Sequence, residues 1–145
     1  MSVRKTRNDS EFSYCLMNPS VSHAVIDANG NETGEIIADY LAAMSMWANV
    51  SPATGVYQAE QFGNLENYDK VIVTRDMSCP IDENTLLFID KNPEYVSVAT
   101  HRIEAGQTPR IVTEYYSLPK NDYIVQRVAK SLNSISIAVS KVKVG

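Results

Sequence analysis

The chain has 145 residues, 44% of them apolar and 21% charged, with six glycines and six prolines. That make-up fits one globular domain with its own core and excludes collagen-like and low-complexity proteins. No apolar run approaches the ~18 residues of a membrane span, no apolar stretch follows the basic start Met1–Arg7, and so neither a membrane segment nor a secretion signal is expected.

Phe12, Tyr14 and Leu16 alternate with polar neighbours ahead of Pro19, the pattern of a first strand. Asp27 to Glu35 is dense in Asn, Asp and Gly, which tolerate positive φ, and predicts an exposed turn. Ile37, Tyr40, Leu41 and Met44 have helical spacing, so a helical turn is expected over Ile36–Ala43. Met44–Val50 reads as a strand with Met44, Met46 and Ala48 on one side and Trp47 on the other. Ser51-Pro-Ala-Thr-Gly55 breaks it, because proline lacks the ladder donor and glycine frees the backbone. A long polar loop follows over Val56–Tyr68, of the length that is usually functional when it occurs in a small domain.

Lys70–Thr74 is a β-branched strand, Asp76–Asn84 a turn region around Pro80, and Leu86–Ile89 a short apolar strand. Between Glu94 and Lys120, two β-rich stretches, Tyr95–Ile103 and Arg110–Tyr116, flank Gly106-Gln-Thr-Pro109 and predict an extra hairpin. Tyr123–Ala129, a turn over Lys130–Ser134, and the alternation of Ile135, Ile137 and Val139 with Ser136, Ala138 and Ser140 predict a terminal β-hairpin. Five or six short strands with hardly any helix make a mainly β fold, a small barrel or sandwich.

Cys15 and Cys79 are isolated, without a CxxC pair or a Cys/His cluster, and read as buried thiols of a reducing compartment. The Asn-x-Ser/Thr triplets at Asn8, Asn31 and Asn49 are chance matches in a chain without a secretion signal. No glycine-rich phosphate loop occurs. His23 and His101 are the only imidazoles, and both lie in polar stretches. Pairing either with Cys15 or Cys79 has no more support than chance placement. Asp76, Asp82 and Glu83 lack EF-hand spacing and read as solvated turn residues. Tyr95, Tyr115 and Tyr116 have few basic neighbours to make a base-stacking surface. No catalytic, metal or cofactor-binding residue is assigned, no cofactor is expected, and elimination leaves a structural or interaction protein rather than an enzyme.

Charge is unevenly distributed. Between Arg7 and Lys70 there is no Lys or Arg but there are nine carboxylates, whereas Lys120, Arg127, Lys130, Lys141 and Lys143 face only Asp122 near the end. Two readings stand: mixed solvated faces, or an acidic and a basic patch meeting head to tail between copies, a heterologous contact that closes into a ring when the rotation permits. The net charge of −4 argues against gripping nucleic-acid phosphate over the whole surface.

Two stretches carry a resemblance. The first is Trp47-Ala-Asn-Val-Ser-Pro-Ala-Thr-Gly55, then Gln58-Ala-Glu60 and Asp69-Lys-Val-Ile-Val-Thr74. The second is Asp122-Tyr-Ile-Val-Gln-Arg-Val-Ala-Lys130 with Ser131-Leu-Asn-Ser-Ile-Ser-Ile-Ala-Val139. Together they resemble the head-closure (stopper, or head–tail joining) proteins of long-tailed bacteriophages. Asp69–Asp90 is especially similar to versions from phages of Gram-positive bacteria. The likeness covers roughly residues 44–90 and 121–143.

The resemblance implies a small SH3-like β-barrel in a single head-closure domain over 1–145. Its core would be about 10–90 and 121–143, its gate-like loop 51–68, and its insertion about 94–120. It implies a ring in the virion neck, assembled in the host cytoplasm. That ring is six-fold, or twelve-fold as the alternative, with portal and adaptor on one side and tail terminator or tail tube on the other. Genomic DNA would pass through the channel without sequence-specific binding, and no membrane is involved. Carried over by position, the channel or gate candidates are Ser51, Pro52, Gly55, Gln58, Glu60, Gln61, Gly63 and Glu66. Their segment has no cation, so it would let phosphate slide rather than hold it. The insert's Ile103, Ile111, Val112, Tyr115 and Tyr116 are candidates for a partner interface. The alternatives are an adaptor or tail-completion protein of the same connector, and a monomeric β-barrel binding module.

Overall fold

The structure is a computed structural model that describes residues 9–52 and 68–142. Its described residues form ten strands and no helix: β1 Asp9–Cys15, β2 Met17–Ile26, β3 Glu32–Tyr40, β4 Met44–Pro52, β5 Lys70–Thr74, β6 Leu86–Phe88, β7 Tyr95–Glu104, β8 Arg110–Pro119, β9 Tyr123–Lys130 and β10 Ile135–Lys141. The chain divides into two compact units. One holds residues 1–16, 42–93 and 121–145, the other 17–41 and 94–120.

The first unit is a closed barrel in the order β1-β4-β5-β10-β9-β6, with β6 returning to β1 and every pair antiparallel. Closure leaves no strand of this sheet with an open edge. Period-2 alternation fills the interior: Phe12 and Tyr14 from β1, Met46 and Ala48 from β4, and Ile135, Ile137 and Val139 from β10. The Asp76–Asn84 turn region contributes to the same core. Asp76 Oδ1 accepts the Ser78 N–H at 3.0 Å and Asp82 Oδ1 accepts the Asn84 N–H at 2.9 Å. The paired turns send Cys79 and Ile81 inward. β10 lies between β5 and β9, and its outward Ser136, Ala138 and Ser140 are buried as well. Val71 and Ala138 form a second small cluster, against which Tyr68, Val73 and Ala129 pack.

The second unit is two hairpins. β2 pairs with β3 through two irregularities, between Asn18 and Ser22 and between Ala24 and Ile26. β7 pairs with β8 without interruption from Tyr95↔Pro119 to Glu104↔Arg110. Thr100 joins the hairpins: its hydroxyl accepts the Ile26 N–H at 2.8 Å and donates to the Ala24 carbonyl at 3.2 Å. The His23 ring stacks on Tyr116 with centroids 4.1 Å apart. The β2–β3 turn holds Gly30 at φ +86, where a Cβ would come within 3.1 Å of Ile103 Cδ1. Ile37 is the only large aliphatic side chain buried in this unit.

Three expectations need correction. Ile36–Ala43 is not a helical turn, since β3 runs through Tyr40 and pairs with β2. That partner outweighs a helical spacing too short to sustain a helix in water. The strands number ten among the described residues rather than five or six. The barrel core does not run unbroken over 10–90, because 17–41 leaves it to join 94–120.

Candidate functional site

Pro52 at the end of β4 is the direct register partner of Lys70 at the start of β5. The two ends of the long connection therefore lie side by side on one rim of the barrel. Of its candidate residues, Ser51 and Pro52 do not belong to the loop as expected: they extend β4 and pair with Val71 and Lys70 of β5, because the ladder to β5 continues past the sequence break. Gly55, Gln58, Glu60, Gln61, Gly63 and Glu66 lie outside the described residues.

The same rim receives the end of β10, the start of β9 and the end of β6, through Lys70↔Val139, Lys141↔Tyr123 and Leu87↔Tyr123. Side chains tie these ends together. Asp122 accepts the Ile89 N–H on Oδ1 at 2.9 Å and the Asp90 N–H on Oδ2 at 2.8 Å. Asp69 accepts the Lys141 N–H at 2.7 Å. The Tyr123 hydroxyl donates to Asp90 Oδ2 at 2.8 Å, Lys70 Nζ stands 3.4 Å from Asp90 Oδ1, and the same ammonium lies 5.6 Å from the Tyr123 ring centroid. The Tyr123 hydroxyl, followed by Lys70, holds the Asp90 carboxyl below the usual carboxylate range. Burial first, then the bond to Asp90, pushes the Tyr123 phenol well above its usual value. Asp69, Asp90 and Asp122 are thus engaged with backbone amides, with the Tyr123 hydroxyl and with Lys70 at this rim.

The five interface candidates do not share one face. Alternation on β7 and β8 separates Ile103, Ile111 and Tyr115 from Val112 and Tyr116. Ile103 is 58% exposed, Ile111 42% and Tyr115 70%, whereas Val112 and Tyr116 are half-buried. Tyr116 is occupied by its stack on His23 and by a hydroxyl bond to Glu114 Oε2 at 3.1 Å, which with burial raises its phenol. The charged side chains of the ladder take that same face, with Arg102 bridging to Glu104 and Glu114 and Arg110 to Glu104. The opposite face carries no Lys, Arg, Asp or Glu from Tyr95 to Pro119. This segregation by parity is written into the residue order of 95–119, a signal that the choice of five candidates by hydrophobicity alone overlooks.

The cations from Lys120 onward are divided between the two units. Lys120 belongs to the hairpin unit, where its Nζ is 3.9 Å from Glu94. Lys130 and Lys141 stand at opposite ends of the β9–β10 ladder. Lys130 lines a 470 Å³ pocket with Asp82 and Glu83, Lys141 adjoins Asp69 through its backbone, and Lys143 lies outside the described residues. Cys15 and Cys79 are not joined in a disulfide and are buried in the barrel unit, with burial pushing the Cys79 thiol up, while both histidines belong to the hairpin unit. Among the described residues no group of three or more His, Cys, Asp or Glu is placed to hold a metal ion.

Comparison with family models, with curated proteins and with solved structures returned no match.

Proposed function

We propose that this protein is a structural component of a bacteriophage neck, a ring of the head-closure type that seals the DNA-filled head and offers the tail its attachment surface. One observation carries the reading. The two stretches that resemble head-closure proteins, roughly 44–90 and 121–143, contain five of the six barrel strands, while 17–41 and 94–120 form the separate hairpin unit. A resemblance that follows the barrel and skips the hairpins tracks one folded body rather than scattered similarity. The side-by-side ends of the cation-free connection at one rim add support, since a DNA conduit favours weak contact with phosphate.

The test is electron-microscopic classification of the protein incubated with candidate portal–adaptor assemblies. A closed ring seated on the end of the portal is the expected result. A protein that stays monomeric at high concentration and binds no such assembly would overturn the reading.

A further inference from the structure

The turn between β2 and β3 is closed around Asp27. The Gly30 N–H donates to the Asp27 carbonyl at 3.0 Å, and the Asp27 N–H donates to the Asn31 carbonyl at 2.8 Å. Asp27 Oδ1 accepts the Asn29 and Asn31 N–H groups, both at 2.9 Å. The turn also lies on the other hairpin of its unit, since a Cβ at Gly30 would come within 3.1 Å of Ile103 Cδ1 and 3.8 Å of Ile111 Cδ1. Asn29 is exposed, and it joins the turn through its backbone N–H rather than its side-chain amide. Among the asparagines of the chain, Asn29 alone is followed by glycine. Each of the others precedes a residue whose side chain crowds the next nitrogen, or precedes proline, which has no N–H to lose.

We propose that Asn29 is a site of spontaneous deamidation whose rate is set by this turn and whose product loosens the hairpin unit. The Gly30 nitrogen gives its proton to hydroxide and attacks Asn29 Cγ. An N–Cγ bond forms, the Cγ–Nδ2 bond breaks, and the amide nitrogen leaves as ammonia with a proton from water. A water molecule then opens the cyclic imide. Its attack at Cγ gives aspartate, and its attack at the Asn29 carbonyl carbon gives isoaspartate, whose main chain runs through the former side chain. The sequence consumes one water, releases one ammonia and involves no change of oxidation state. Gly30 carries no side chain to shield its nitrogen from Cγ. While the turn is closed, however, the Gly30 N–H is held on the Asp27 carbonyl and keeps its proton, so the reaction belongs to the opened turn. Opening breaks that hydrogen bond, which slows the reaction about two- to twelvefold relative to the unfolded chain. Isoaspartate lengthens the main chain within the turn, displacing Gly30 and Asn31 from their partners on Asp27. The new carboxylate also adds a like charge beside Asp27 and Glu32. Ile103 and Ile111 thereby lose the cover that Gly30 provides. The inference does not depend on the neck reading.

The experiment incubates the full chain at mildly alkaline pH, folded and in urea, and follows every asparagine by peptide mapping. Electron-transfer fragmentation separates isoaspartate from aspartate. Asn29 should convert ahead of Asn31, which shares the turn but precedes Glu32. Conversion at Asn29 should be about two- to twelvefold slower in the folded chain than in urea. Asp27→Ala removes the acceptor of the Asn29 and Asn31 N–H groups, and should speed the folded reaction about fivefold while leaving the rate in urea unchanged. Circular dichroism checks that this variant folds, and the comparison of folded with unfolded wild type stands without it. Amide exchange around Ile103 and Ile111 should quicken as the wild type ages, and should stay constant in Asn29→Gln, whose longer side chain closes the imide far less readily. Conversion at Asn29 no faster than at Asn31 in urea would overturn the site. Equal rates at Asn29 in folded and unfolded chain would overturn control by the turn. Unchanged exchange around Ile103 and Ile111 in fully deamidated protein would overturn the loosening of the hairpin unit.

Discussion

Replacing Tyr123 by Phe removes one hydroxyl from the loop-bearing rim and leaves the ring that packs in the barrel, which is 3% exposed. The lost bond is the 2.8 Å contact to Asp90 Oδ2. A hydrogen bond to a charged group contributes about 1.5–3 kcal/mol. The Asp90 side chain is 49% exposed and keeps Lys70 beside it, so solvent screening reduces the expected cost to about 1 kcal/mol at pH 7. The effect has a defined pH dependence. Asp90 is held below the usual carboxylate range in the folded state, so its contribution is present above the unfolded value of ~3.9 and is lost as pH falls through the folded value. The penalty of Tyr123→Phe should therefore shrink in strong acid, and the Asp90 carboxyl should titrate at higher pH in the variant. Urea unfolding at neutral and acidic pH, with carboxyl-carbon NMR of Asp90, measures both. A penalty that is unchanged in acid, together with an unmoved Asp90 titration, would refute the assigned bond.

Three further outcomes are expected. Gly30→Ala places a side chain at φ +86 and 3.1 Å from Ile103 Cδ1, and should destabilise the hairpin unit by about 1–2 kcal/mol, read as faster amide exchange in β7 and β8. Thr100→Val strips the Ile26 N–H and the Ala24 carbonyl of their hydroxyl partner at a cost of about 1–3 kcal/mol, with lost exchange protection at Ile26 as the marker. Ile137→Ala empties a fully buried barrel position and should cost about 2–5 kcal/mol in urea unfolding, with β9 and β10 losing protection together.

Strands with a strong local signal are legible in the residue order alone. β5 is a β-branched run, β9 and β10 alternate in period 2 around a polar turn, and the Gly106-Gln-Thr-Pro109 break separates β7 from β8. Which residues of β8 share a face is legible too, because alternation is a property of the backbone and needs no partner. The rim of the candidate site is legible only in part. Ser51 and Pro52 announce the end of β4, but nothing local joins Asp122 to the Ile89 and Asp90 amides, 33 and 32 residues away along the chain. Tertiary pairing makes 32–40 a strand, since the helical spacing of Ile37, Tyr40 and Leu41 yields once β2 supplies a ladder. Tertiary contact likewise takes the segment after β1 out of the barrel and ties Ile26 to Thr100, 74 residues further on. Such a choice depends on which surfaces meet after distant loops close, and no local pattern of side chains encodes that meeting.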